Sequence, residues 1–135
     1  MELVADTNIV AAAIVKDGMT RSLLFRSDLV LHSPAHLSEE LERNKDVFIE
    51  KSGLSEEAYL QAAEIIVSNV NQISLREYAH LKERAENISP DRKDWPFFAV
   101  AIYLKCPIWS NEKRLKDQNK IAVYNTAEIC EMLMP

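Results

Sequence analysis

Short apolar runs alternate with longer amphipathic stretches along the chain, and turn-forming residues punctuate them. Residues 3–5, 29–31, 70–73, 107–109 and 122–124 read as short strands. Between them the hydrophobic spacing predicts helices over 8–15, 20–26, 37–50, 56–67, 78–87, 94–104 and 126–134, with a brief helical turn at 112–116. Thr20 and Ser55 are candidate N-caps, Asp17-Gly18 and Ser52-Gly53 close helices, and Ser33-Pro34 turns out of the second strand. Residues 89–93 form a polar loop, and Pro96 suits a first helical turn, where its missing N–H costs nothing. Strands alternating with helices predict an α/β fold with a parallel sheet flanked by helices. The two consecutive helices within 37–67 predict a helical arm or lid beside the sheet. With no repeat or linker in view, residues 1–135 read as a single domain.

Against this frame the acidic residues take on a pattern. Asp6 directly follows the first strand, and ligands of open α/β sheets bind at the carboxyl ends of strands. Glu39 and Glu40 open the helix after the second strand, and either could face the rim, because neighbouring helical residues point about 100° apart. Asp94 starts the most apolar helix, with Asp91 one turn earlier, and Glu112 follows the fourth strand just past Ser110 and Asn111. A parallel sheet delivers all of these to one edge. Each also has a plainer role: Asp6 and Asp94 as N-caps, Glu40 as a first-turn acid, Glu112 as part of an exposed charge run. Clustered carboxylates stay ionised together only with cations between them, and hard oxygen donors select Mg²⁺ or Mn²⁺. Such a site activates water and neutralises a phosphodiester. Cysteine and histidine are not at zinc-binding spacings.

Composition narrows the classes. Hydrophobic residues make up 47% of the chain and charged residues 27%, as in an ordinary globular protein. Only two glycines occur, Gly18 and Gly53, which excludes a phosphate-cradling glycine loop. The net charge of −5 argues against a general nucleic-acid binder, though not against an enzyme whose metal ions bridge its acids to phosphate. Cys106 and Cys130 are expected to be buried thiols in a reducing cytoplasm. No signal peptide and no membrane span are expected. Arg92, Lys93, Lys113, Arg114, Lys116 and Lys120 are placed near the rim. Lys93, Lys113 and Arg114 are the leading candidates to hold substrate phosphates, with solvated surface as the alternative. Trp95 and Trp109 either stack on bases or belong to the core. His32, His36 and His80 receive no role. A haloacid-dehalogenase phosphatase would need an Asp where Asn8 stands, and a receiver domain would need an acidic pair where Asp6 stands alone.

The order of these residues resembles the PIN-domain family of ribonucleases, including its VapC-type toxins. Asp6-Thr7-Asn8 resembles the family's opening motif, Glu40-Leu41 its second acid, and Asp94 with Ala99 and Ala101 its third acid and small-residue helix. Trp109-Ser110-Asn111-Glu112 resembles the segment of the fourth acid, which is usually Asp and is here Glu112. The likeness runs from Leu3 to about Met132 and is nearest to small single-domain prokaryotic members. It implies a three-layer α/β/α sandwich and Mg²⁺- or Mn²⁺-dependent cleavage of single-stranded RNA. Asp6, Glu40, Asp94 and Glu112 would be the catalytic and metal-binding acids. Asn8 would orient Asp6, Ser110 would hydrogen-bond within the cluster, and Asp91 would be an additional acid. A homodimer is implied, as is a possible antitoxin partner held in a groove of the helical arm. The alternative is a PIN fold that serves as a weakly catalytic or inactive binding module.

Overall fold

The structure, a computed structural model, describes residues 1–134. Its sheet is organised around β1 (Glu2–Ala5), which pairs in parallel with both β2 (Val30–Pro34) and β4 (Ile108–Trp109). β3 (Val70–Ile73) extends the sheet beyond β2, and β5 (Val123–Tyr124) extends it beyond β4. The strand order is β3-β2-β1-β4-β5, with every pairing parallel. The chain therefore builds outward on one side of β1, then crosses back to build on the other. The order reverses between β1 and β4, and in open α/β sheets ligands bind at the carboxyl ends of the strands beside such a reversal.

Alternate strand residues face opposite layers. Leu3, Ala5, Leu31 and Trp109 join one core, whereas Val4, Ile108 and Val123 join the other. α1 (Thr7–Val15), α2 (Met19–Leu24), α3 (Leu37–Arg43), α5 (Glu56–Val67) and α9 (Thr126–Leu133) cover the first core through Ile9, Leu23, Leu37, Ile66 and Ile129. α6 (Leu75–Tyr78), α7 (Lys82–Ile88) and α8 (Trp95–Leu104) cover the second. The expected three-layer α/β/α sandwich with an all-parallel central sheet is what forms. α8 carries Pro96 in its first turn and buries Phe97 through Ala101, the small Ala99 and Ala101 letting it lie close to the sheet. Cys106 and Cys130 are both free, and they pack on opposite cores; Cys106 is buried and Cys130 only partly so.

Several boundaries differ from the expectation, each for a local reason. The predicted helix over 37–50 is two helices, α3 and α4 (Lys45–Ser52). Asn44 divides them: its side-chain Nδ2 donates to the Glu40 carbonyl at 2.9 Å, a competing bond that ends a helix. α4 buries none of its residues fully, although Phe48 and Ile49 pack against the first core. The predicted arm is accordingly three helices, and these pack on α1 as part of the outer layer. Gly53, at φ 68°, closes α4 in the left-handed conformation that glycine adopts without strain. Ser33 and Pro34 lie inside β2, paired with Gln72 and Ile73 of β3. Pro34 is tolerated because it is the last strand residue, past the final β1 pairing at His32. A 3₁₀ turn at Ala79–Leu81 splits the predicted helix over 78–87, and Gly18 rather than Thr20 sits at the N-cap of α2.

Trp109 is fully buried at the end of β4, and its indole Nε1 donates to the Thr126 hydroxyl at 3.0 Å. Trp109→Ala is expected to destabilise the protein by about 3–5 kcal/mol, the usual cost of emptying a large aromatic site. Urea unfolding with an unchanged m-value would check it.

Candidate active site

Asp6 is the first residue past β1 and the N-cap of α1, with φ −74° and ψ 165°. Its Oδ1 accepts the Ile9 N–H at 2.8 Å, so the plainer capping role is real. Its other oxygen does something else: Oδ2 accepts the Ser110 hydroxyl. Ser110 stands at the end of β4, brought alongside by the Asp6 N–H donating to the Trp109 carbonyl at 3.2 Å. Ser110 Oγ in turn accepts the Glu112 N–H at 3.1 Å. A relay of hydrogen bonds thus runs from the Glu112 backbone through Ser110 to Asp6, across the point where the strand order reverses. Asn8, expected to orient Asp6, is exposed. The bonds to Asp6 come instead from Ile9 and Ser110, because the cap geometry of α1 turns Asn8 outward.

Burial pushes the Asp6 carboxyl up to about 6, against the lowering effect of its Ser110 and Ile9 hydrogen bonds. The charges of Glu112 and Asp94 push it the same way as burial. Asp94 holds the N-cap position of α8 but makes no cap bond, so its carboxylate is left for the rim. It too is raised, chiefly by burial and then by the charges of Glu112 and Asp91, with Glu40 adding and Arg114 opposing. Glu40, half-buried on α3, pairs with His36 one turn earlier. That hydrogen bond is the main cause holding the Glu40 carboxyl below its ordinary range, with Thr7 contributing in the same direction. Thr7 Oγ1 is itself buried, leaning toward Glu40 without a completed hydrogen bond. Glu39 is exposed. Asp91 caps the 3₁₀ turn at Arg92–Asp94 by accepting the Lys93 N–H at 3.0 Å.

Asp6 therefore senses the charges of Glu112 and Asp94, and Asp94 those of Glu112, Asp91 and Glu40. Among the described residues, no three of these acids converge into a ready-made metal site. Each leans on a protein partner: Glu40 on His36, Glu112 on Arg114 at 2.9 Å, Asp6 on Ser110. The donor chemistry nonetheless fits a hard divalent cation. All the groups offer oxygen, Asp6 is buried beside like charges with no basic partner, and Thr7 Oγ1 is an unsatisfied oxygen at the same edge.

The cations divide differently from the expectation. Lys93 and Lys113 are exposed and make no ion pair among the described residues. Arg114 is held by Glu112 and, at 3.4 Å, by Asp91. Lys116 pairs with Glu128 of the α9 capping box. Lys120 precedes β5 and so belongs to the opposite edge of the sheet. Trp109 is core and cannot meet a base; Trp95 is partly buried, packed on Tyr78 with Lys82 Nζ 5.4 Å from its ring centre. His36, given no role from the sequence, is the partner of Glu40, and its i,i+4 spacing to that acid was the available signal.

The PIN-domain family model matches residues 4–129, from β1 through the first half of α9 and across every acid of the rim. The chain belongs to the PIN-domain family. No curated protein matches it. PIN domains are generally nucleases. Among the described residues no helix is long and apolar enough to cross a membrane.

The raised Asp6 pKa has a signed consequence for stability. Between its ordinary value of 3.8 and its folded value of about 6, the folded protein binds more protons than the unfolded chain. Stability contributed by Asp6 therefore falls as pH rises through that window. In EDTA, Asp6→Asn is expected to match wild type near pH 4 and to exceed it at about pH 7.5 by up to about 3 kcal/mol. Thermal unfolding at both pH values would check this.

Proposed function

We propose that this PIN domain is a metal-dependent endoribonuclease that cleaves single-stranded RNA at the rim formed by Asp6, Glu40, Asp94 and Glu112. The observation that carries the reading is Asp6: a buried carboxylate at the strand crossover, raised chiefly by burial and further by Glu112 and Asp94, and lacking a basic partner. Such a group calls for a cation. Asp6, Glu40, Asp94 and Glu112 would hold Mg²⁺ or Mn²⁺, with Asp91 as an additional acid. When bound, the ion neutralises phosphodiester charge and makes water a better nucleophile.

The chain's own residues prepare that chemistry. Ser110 and the Ile9 N–H fix both oxygens of Asp6, so its orientation is set before any ligand arrives. His36 keeps Glu40 ionised, which maintains a negative donor at the rim down to low pH. Burial raises both Asp94 and Asp6, so a cation held between them would favour their ionised forms. Lys93 and Lys113 are free to meet phosphates of the strand, and Arg114 joins them on leaving Glu112.

A second reading is a binding module with weak or no catalysis. The Arg114 contact with Glu112 favours it, because it occupies the acid that departs from the family pattern. A toxin paired with an antitoxin, and a homodimer, are compatible with either reading. Both draw on the exposed apolar side chains Val47, Leu54, Leu60 and Ile65 of α4, α5 and their junction.

Cleavage of a fluorescent single-stranded RNA is expected with Mg²⁺ or Mn²⁺ and not in EDTA. Ser110→Ala, which only orients Asp6, should reduce the rate by about 10–100-fold. Asp94→Asn should reduce it further, with wild-type circular dichroism. Cutting that survives Asp94→Asn, or none by wild type on several RNAs with either metal, would overturn the proposal and favour the binding module.

A further inference from the structure

At the edge of the sheet opposite the acids, two adjoining cavities of about 630 and 450 Å³ open between α7, the end of α8 and the amino ends of β4 and β5. Arg84, Lys120 and Ile121 line both and so form the wall between them. Lys105 faces the second cavity, where Ile102 and Pro107 supply an apolar surface. Arg84, Lys105 and Lys120 make no ion pair among the described residues, and the one acid of the lining is Glu83. In a chain of net charge −5, three unpaired cations around one cleft are a local reversal of sign.

The backbone at Lys105 adds an independent observation. Lys105 has φ 56° and ψ 48°, the left-handed conformation, and is the one non-glycine residue at positive φ among those described. It ends α8 with the Cys106 N–H donating back to the Ala101 carbonyl at 3.1 Å, an arrangement that glycine normally occupies. A lysine there is strained, because its Cβ crowds the carbonyl oxygen that follows. The helix C-terminus favours a positive charge, which offsets part of that cost. A cation is therefore kept where the backbone would prefer glycine, and it lines the cleft.

We propose that this cleft binds a nucleotide unit. Its phosphate would lie on Arg84 and Lys120, with Lys105 reaching it from the second cavity, and its base would lie against Ile102 and Pro107. Either cavity has the volume usual for a small-ligand site. The unit could come from a free nucleotide or from an RNA chain. The proposal stands apart from the nuclease reading, since it uses none of the rim acids.

The test is carried out in EDTA, so that the rim plays no part. Binding of inorganic phosphate, of 5′-AMP and of an uncleavable 2′-O-methyl dodecanucleotide is measured by calorimetry and by amide shifts. Arg84→Ala and Lys120→Ala are each expected to weaken 5′-AMP or the dodecanucleotide about tenfold, the cost of losing a charge-assisted hydrogen bond. Binding of 5′-AMP identifies a free-nucleotide site, and binding of the dodecanucleotide alone identifies an RNA-strand site; both support the proposal. Lys105→Gly separates this role from a structural one: its melting temperature should rise by about 2–4 °C as the strain is relieved, while binding weakens. No binding of 5′-AMP or the dodecanucleotide, or binding that the three substitutions leave unchanged, would overturn it. RNA cleavage by a protein that binds nothing here would sink this cleft and leave the nuclease reading intact.

Discussion

A carboxylate at the dry end of a buried strand must be compensated, and the architecture of this protein is arranged around the compensation of Asp6. The two groups that fix its oxygens come from very different places in the chain. The Ile9 N–H is three residues away, whereas the Ser110 hydroxyl is 104 residues away. The local bond forms with the first turn of α1. The distant one requires β4 to dock in parallel beside β1, and that docking carries the sheet across to its second half. The strand crossover and the acid are thus one feature: the reversal of order brings Ser110 alongside Asp6.

The acids of the rim are balanced in different ways. Burial, reinforced by like charge, holds the Asp6 carboxyl up at about 6. Glu40 takes His36, and Glu112 takes Arg114. Among the described residues no three of the acids converge. A cation entering the rim would have to displace His36 and Arg114 from their acids. That exchange frees Arg114 to meet phosphate, so the same event would assemble the acids and expose a positive group for the substrate.

What could be read from the sequence, and what could not, follows from how far each contact reaches. Asp6 and Asp94 were legible because each is tied to an element end that the hydrophobic pattern marks clearly, a strand terminus and a Pro-initiated helix. Glu40 and Glu39 could not be separated by pattern, since the choice depends on the phase of α3 against Thr7 and His36. The interruption at Asn44 hid inside a continuous amphipathic run, because the bond that makes it is a side chain to a backbone carbonyl. Ser33-Pro34 looked like a turn, and pairing with β3 overrode that local chemistry. Lys120 was placed at the wrong edge for a simple geometric reason. β5 has two residues, so the two edges of the sheet are only a few positions apart in sequence.

A parallel sheet sorts its connections by direction: everything that follows a strand emerges at one edge and everything that precedes one emerges at the other. Here that sorting also separates charge. Asp6, Glu40, Asp94 and Glu112 follow strands or open the helices that come after them. Lys105 and Lys120 lie just before β4 and β5. Helices that return antiparallel to the sheet point their amino ends at the acidic edge and their carboxyl ends at the basic one, and α8 runs from Asp94 to Lys105 in this sense. Its dipole favours both the cation at Lys105 and the acid at its start. The acid sits with the helix field but against burial and its acidic neighbours, which raise its pKa, while the cation sits with the field but against its own backbone. In both places an apolar helix holds a charged residue at a terminus where packing alone would not ask for one.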